Sequence, residues 1–218
     1  MVKTDFDKFA LSRGISSMSL DSAKSAYINP MVLEERQMNI TSIDVYSRLL
    51  MDRIIFVNGE IEPNMVNIIT AQLLWLDQQG DKPINLYISS PGGSVVDGLQ
   101  IIDCLNFINS PISTTCLGMA ASMGAVILSC GDKGKRFALP HSRIMIHQAS
   151  GGYHGKAEDV KTSFAQLMRC QDDIFKILAD NMGKSVEEIE QLCSNTDKWF
   201  IGEEGVKLGI IDEIVKKK

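Results

Sequence analysis

The sequence predicts an α/β fold in which parallel strands are joined by right-handed helical crossovers. Two patterns carry that expectation: short apolar runs that read as strands, and amphipathic stretches of helical period that alternate with them at intervals of roughly 30 residues. A third observation bounds it. The 218 residues are 44% hydrophobic and 22% charged, enough to bury a full core in one domain with an appendage.

The appendage comes first. Residues 1–29 are rich in Ser and Lys, with weak periodicity around Phe6, Phe9 and Leu11, and fit a short helix, a mobile arm or a removable leader. They are taken as an N-terminal extension and residues 30–218 as the folded domain. From Pro30 the pattern tightens. A strand at 54–57 leads to Pro63, a favoured first helical residue, and the helix runs through Ile68, Ile69, Leu73, Leu74 and Leu76 to a stop at Gly80. The next strand, 84–88, meets Ser90-Pro91-Gly92-Gly93-Ser94, a turn into a helix carrying Leu99, Ile102, Leu105 and Ile108. Pro111 ends that helix, and Ile112-Ser113-Thr114-Thr115-Cys116 forms a third strand. Gly118 to Gly124 then opens a strongly apolar helix.

Two short strands follow around Pro140, at 137–139 and 144–146, and then the Gly-rich run Gly151-Gly152-Tyr153-His154-Gly155. The longest periodic segment is 157–182, with Val160, Phe164, Leu167, Ile174, Ile177 and Leu178 on one face and Gly183 at its end. Such a face on so long a helix suits a partner chain. Ser185-Val186-Glu187-Glu188 has the spacing of a capping box for one more short helix.

Composition excludes several classes of function. The net charge of −5 gives no basic footprint for nucleic acid or anionic lipid, and Lys216-Lys217-Lys218 reads as a solvated tail. No apolar run is long enough to span a bilayer. The five cysteines form no C-x-x-C pair, which argues against metal and disulfide frameworks and suits a reducing compartment, the cytoplasm by default. No P-loop is present, since Gly155-Lys156 is followed by Ala157 and Ser150 stands where its first glycine belongs. No cofactor is expected, and any ATP dependence comes from another protein.

Three histidines are available as a general base: His141 in a turn, His154 in the Gly-rich run and His147 at the end of an apolar strand, where a rigid element can hold an imidazole. Ser122 lies where an apolar strand turns into a helix, flanked by Ala120 and Gly124. That approximates a nucleophile elbow with alanine in place of its first glycine, although a helix-capping serine fits the same position. Gly92 and Gly93 let a backbone N–H approach a ligand, or simply make a tight turn. Among 27 carboxylates, Asp197 stands before Trp199-Phe200-Ile201, and an ordinary loop aspartate fits it equally.

Taken together, the motifs resemble the proteolytic subunit of the Clp protease (ClpP-type). The resemblance rests on Ser90-Pro91-Gly92-Gly93, Gly118 to Ala125, Lys133 to Pro140, Ser142 to Gln148 and Gly209-Ile210-Ile211-Asp212, in the family's order across roughly Pro30 to Val215. It implies a serine endopeptidase with Ser122 as nucleophile, His147 as base and Asp197 as the orienting acid. It further implies an oxyanion hole from the N–H groups of Gly93 and Met123. Extended substrate would pair along Gly93-Ser94-Val95 and Ser150-Gly151-Gly152. The implied fold is the ClpP/crotonase-type spiral of repeated ββα units, with 157–182 as a protruding handle helix.

The implied assembly is a homo-oligomer of two stacked heptameric rings, fed with unfolded proteins by an AAA+ unfoldase of the ClpX or ClpA/ClpC type. Tyr87 and Phe137 match aromatic positions of the family's unfoldase-docking pockets. Thr196 stands where members commonly have arginine, Met119 where many have glutamine and Ala149 where proline is frequent. Two other readings accompany this one: a structural or conditional subunit of a mixed ring, and a crotonase-like acyl-CoA enzyme on the same fold.

Overall fold

The computed structural model describes residues 31–36, 39–194 and 196–216, so the extension expected at 1–29 lies outside the described residues. The chain divides into two units, Met1–Arg48 and Leu49–Lys218. The first holds an antiparallel hairpin of β1 (Met31–Arg36) and β2 (Asn39–Asp44), and the helix α1 (Val45–Met51) runs across the boundary between the units. Asp44 accepts the Ser47 N–H at 3.0 Å, satisfying a donor of the first helical turn.

In the second unit the strands β3 (Ile54–Ile61), β4 (Ile84–Gly93) and β5 (Ile112–Ala121) are parallel and adjacent. Helices α2 (Pro63–Gln78) and α3 (Val95–Phe107) make the crossovers. The α/β expectation therefore holds. Alternation along β4 puts Ile84, Leu86 and Ile88 in the core with Ile55 and Val57 of β3, against Val66, Ile69 and Leu73 of α2. Burying each of these side chains is worth about 1.5–3 kcal/mol.

Ile68 and Leu74, two of the apolar residues that marked this helix in the sequence, point outward at 60% and 40% exposure. The core stripe runs through Val66, Ile69, Leu73 and Leu76 instead. The helix also stops two residues before Gly80. Arg53 takes up the last carbonyls there, donating to Leu76 O at 2.8 Å and Gly80 O at 3.2 Å.

Strand β5 divides its pairing. Thr114–Cys116 lie beside β6 (Arg136–Ala138), whereas Met119–Ala121 lie beside β7 (Arg143–Ile146), both parallel. The helix α4 (Met123–Ser129) leaves the end of β5 wholly buried. Beyond it, α5 (Ala157–Met182) is about 39 Å long and ends on Gly183 in the left-handed conformation. Its buried residues begin at Cys170, while Phe164 and Met168 in its first half are 56% and 38% exposed. Half of this helix packs on the core and half projects from it.

The capping box is present at α6 (Val186–Cys193): Glu188 N–H donates to Ser185 Oγ at 3.2 Å, and Ser185 N–H to Glu188 at 2.8 Å. Strand β8 (Lys198–Ile201) then runs antiparallel to β7, and α7 (Gly202–Leu208) leads to β9 (Glu213–Ile214) beside β6. Among the described residues no helix is long and apolar enough to cross a membrane.

Candidate active site

Strand register assembles the site. Ala121 of β5 lies opposite Met145 of β7, and the Ser122 N–H donates to Met145 O at 2.9 Å, so the serine is clamped as it leaves the sheet. On the other side of β7, Ile146 pairs with Lys198 of β8 in antiparallel register. His147 directly follows the last residue of β7 and Asp197 directly precedes the first residue of β8, so the end of this ladder brings the two together. β7 thus lies between the strand that leads to the serine and the strand that follows the aspartate.

The side chains complete this arrangement. His147 Nε2 lies 2.8 Å from Ser122 Oγ, and His147 Nδ1 lies 3.2 Å from Asp197 Oδ1. The imidazole is 26% exposed and the carboxylate 57%. With its proton on Nδ1, facing the aspartate, the ring presents a lone pair at Nε2 to the serine hydroxyl. Neither His141 nor His154 reaches this group.

Ser122 adopts φ 53° and ψ −126°, and its side chain makes no capping bond to α4. The capping alternative is thereby set aside. A non-glycine residue in this region is strained by about 1–3 kcal/mol, and the strain turns the hydroxyl out of the sheet toward His147. The strand leading to it continues to Ala121, further than the sequence suggests, because Met119–Ala121 find ladder partners in β7.

Ser90-Pro91-Gly92-Gly93, read from sequence either as a close backbone approach to a ligand or as a plain tight turn, belongs to the strand. It finishes β4, with Gly92 opposite Glu60 and Gly93 opposite Ile61 of β3. Gly92 has φ 97° and sits against the serine: a Cβ there would lie 2.6 Å from Ser122 Cβ and 3.1 Å from Met123 N. Only glycine leaves the space before Ser122 and the Met123 N–H open. Ser94 uses its own backbone to start α3, donating to Ile61 O at 2.9 Å and accepting from Gly98 N–H at 3.0 Å. Gly93 and Val95 on either side line the cleft beside Ser122, and Ser150 lines it opposite, next to Gln148 and Ala149. Gly151 and Gly152 follow Ser150 outside the cleft lining.

Four lining residues were not anticipated at the site. Val126, Ile146, Ile174 and Leu178 form, with the Met123 side chain, an apolar pocket at the side of Ser122. The signal for two of them was the apolar face of α5, which reads as a surface for a partner. Its second half instead turns Ile174 and Leu178 inward, at 7% and 1% exposure. Tyr87 and Phe137 lie in one row across the sheet, through Phe56, Tyr87, Thr115 and Phe137. Both are half-buried, and the Tyr87 ring stacks on Phe56 at 5.8 Å.

A serine, histidine and aspartate in line at the end of a parallel sheet, beside an apolar pocket, are the geometry of a serine-type hydrolase. Comparison with known proteins narrows that class. A family model described as Clp protease matches residues 35–218. The chain is 45% identical over 219 residues to an ATP-dependent Clp protease proteolytic subunit of Bacteroides fragilis, covering 98% of this chain and 99% of that one. A protein of the same description from Porphyromonas gingivalis is 44% identical over 98% of both chains. The chain belongs to the Clp protease family.

Proposed function

We propose that the chain is the proteolytic subunit of an ATP-dependent protease and cleaves unfolded polypeptides through an acyl-enzyme at Ser122. The observation that carries this reading is the 2.8 Å approach of His147 Nε2 to a serine hydroxyl held in a strained turn. Ser122 Oγ attacks the substrate carbonyl carbon while His147 Nε2 takes the hydroxyl proton and then delivers it to the departing amine. Water, activated by the same nitrogen, hydrolyses the ester and restores the serine. Asp197, facing Nδ1, holds the ring's tautomer and offsets the positive charge it gains.

The charge on the substrate oxygen is received by the N–H groups of Gly93 and Met123. The gap kept open by Gly92 supports this placement. Extended substrate lies between Gly93-Ser94-Val95 and Ser150-Gly151-Gly152 as an added strand, so main-chain pairing rather than side-chain readout admits many sequences. The pocket of Val126, Ile146, Ile174 and Leu178 receives the residue before the scissile bond and favours an apolar one.

Two stacked heptameric rings of this chain, with the projecting half of α5 as the handle between them, would enclose the sites. Phe164 and Met168, exposed on that half, support an interface there. A hexameric AAA+ unfoldase would supply unfolded chain and spend the ATP, docking near Tyr87 and Phe137. All five cysteines are unpaired, as the reducing cytoplasm leaves them. The mixed-ring and acyl-CoA readings gain no observation of their own.

The purified chain is assayed alone on a short fluorogenic peptide, and on a folded protein substrate with and without an AAA+ unfoldase and ATP. Peptide cleavage by the chain alone, with protein degradation only when both additions are present, is the expected result. Peptide cleavage that needs a second, paralogous chain would favour the conditional subunit instead.

A further inference from the structure

We propose that Ser90 is a positioning residue for the reaction, acting through the backbone of Gly92 and Gly93; the inference rests on the reading of Ser122 and the Gly93 N–H given above. Ser90 is completely buried, one of few polar side chains in the core. Its hydroxyl donates to Gly59 O at 2.6 Å and accepts the Gly92 N–H at 3.1 Å. Both strands leave regular pairing at this point. The β3–β4 register shifts between Asn58 and Glu60, and the β4–β5 register between Ile88 and Ser90. The hydroxyl therefore binds two backbone groups where the ladder is interrupted.

Its position couples three parts of the site. A Cβ on Gly124 would lie 3.2 Å from Ser90 Cβ and 3.1 Å from Ser90 O, so Ser90 is packed against the first turn of α4. Gly92, held by the hydroxyl, abuts Ser122 and leads directly to Gly93. Without the hydroxyl, the buried Gly92 N–H loses this acceptor, and the peptide ahead of Gly93 is held by its pairing to β3 alone. The Gly93 N–H then loses its aim at the oxyanion, which exists only in the tetrahedral states. Substrate binding, set by strand pairing and the apolar pocket, is left in place.

The test compares Ser90→Ala, Ser90→Thr and Ser122→Ala in the full chain with the wild type, using a short fluorogenic peptide and the denaturation midpoint of each protein. A peptide aldehyde and the corresponding alcohol serve as paired inhibitors. The serine oxygen adds to the aldehyde carbon and turns its carbonyl oxygen into the oxyanion, whereas the alcohol binds without forming one. Ser90→Ala is expected to lower kcat by about 10- to 100-fold with KM within about threefold. Aldehyde affinity falls in parallel and alcohol affinity is unchanged. Ser90→Thr, which keeps the hydroxyl, recovers kcat to within about threefold of wild type.

A folded Ser90→Ala with wild-type kcat overturns the proposal, as does equal weakening of aldehyde and alcohol. If Ser90→Ala does not fold, Ser90→Cys, a weaker donor and acceptor of similar size, carries the same comparison. Ser122→Ala keeps the two readings separate. Activity surviving in that variant removes the function itself, while an inactive Ser122→Ala beside a fully active Ser90→Ala removes only the role of Ser90.

Discussion

Asp212 grips Arg136 through both carboxylate oxygens, with Oδ2 2.9 Å from Nε and Oδ1 2.6 Å from a terminal guanidinium nitrogen. The same carboxylate accepts the backbone N–H groups of Gly134 at 2.8 Å and Arg136 at 3.0 Å. Arg136 also donates to Asn181 O at 2.7 Å, and the Asn181 amide reaches Ser129 Oγ at 3.0 Å. The ion pair thus ties β6 and the residue before β9 to the last turn of α5, and Asn181 extends the link to the last turn of α4. These are the supports of the helix that Ser122 precedes.

Asp212→Asn leaves the guanidinium of Arg136, a residue only 4% exposed, without its counter-charge. The expected cost is about 3–5 kcal/mol of stability, read from urea denaturation. Hydrogen bonding to Arg136, more than offsetting desolvation, holds the Asp212 carboxyl below its ordinary value. The pair's contribution is therefore present above the unfolded carboxylate value of about 3.9 and is lost as pH falls through the lower folded value. Wild-type stability falls below about pH 4 more steeply than that of Asp212→Asn. Parallel pH profiles for the two proteins would contradict this.

Gly92→Ala places a methyl 2.6 Å from Ser122 Cβ and 2.8 Å from Ala121 O, at a backbone angle that alanine tolerates poorly. The expected loss is about 100-fold or more in kcat, with about 1–3 kcal/mol of destabilisation from backbone strain. Steady-state kinetics on a short peptide measures the first and denaturation the second. A folded variant with wild-type kcat would mean that the space before Ser122 is not used.

Burial pushes the thiols of Cys116, Cys130 and Cys193 up to about 11. At pH 8 these groups hold their protons and are poor nucleophiles. Iodoacetamide followed by peptide mapping should label the three only after denaturation. Rapid labelling of Cys116 in the folded protein would count against the burial of β5 beside β6.

Local pattern made some of this legible and distance hid the rest. The helix 157–182 and its Gly183 stop follow from 3.6-residue periodicity and a left-handed cap, and the Ser185 box from its spacing. Ser122 stands out because small residues surround it at a strand–helix junction. Nothing local marks Asp197, whose place is set by the antiparallel register of β7 and β8. Asp212 and Arg136 each lie in a recognisable motif, yet 76 residues separate them and no periodicity links them. The extension of β4 through Gly93 was hidden by glycine and proline, which signal turns when they are read without a neighbouring strand. The hairpin of β1 and β2 was not foreseen either, since its pairing lies between two segments of mixed polarity.

The most direct test of the whole account is fluorophosphonate labelling of the wild type and of Ser122→Ala, with the adduct located by peptide mapping and peptide cleavage measured on the same samples. The account predicts a single adduct on Ser122 in the wild type, none in the variant, and a fall in cleavage rate of several orders of magnitude. Undiminished labelling or cleavage in Ser122→Ala would contradict it.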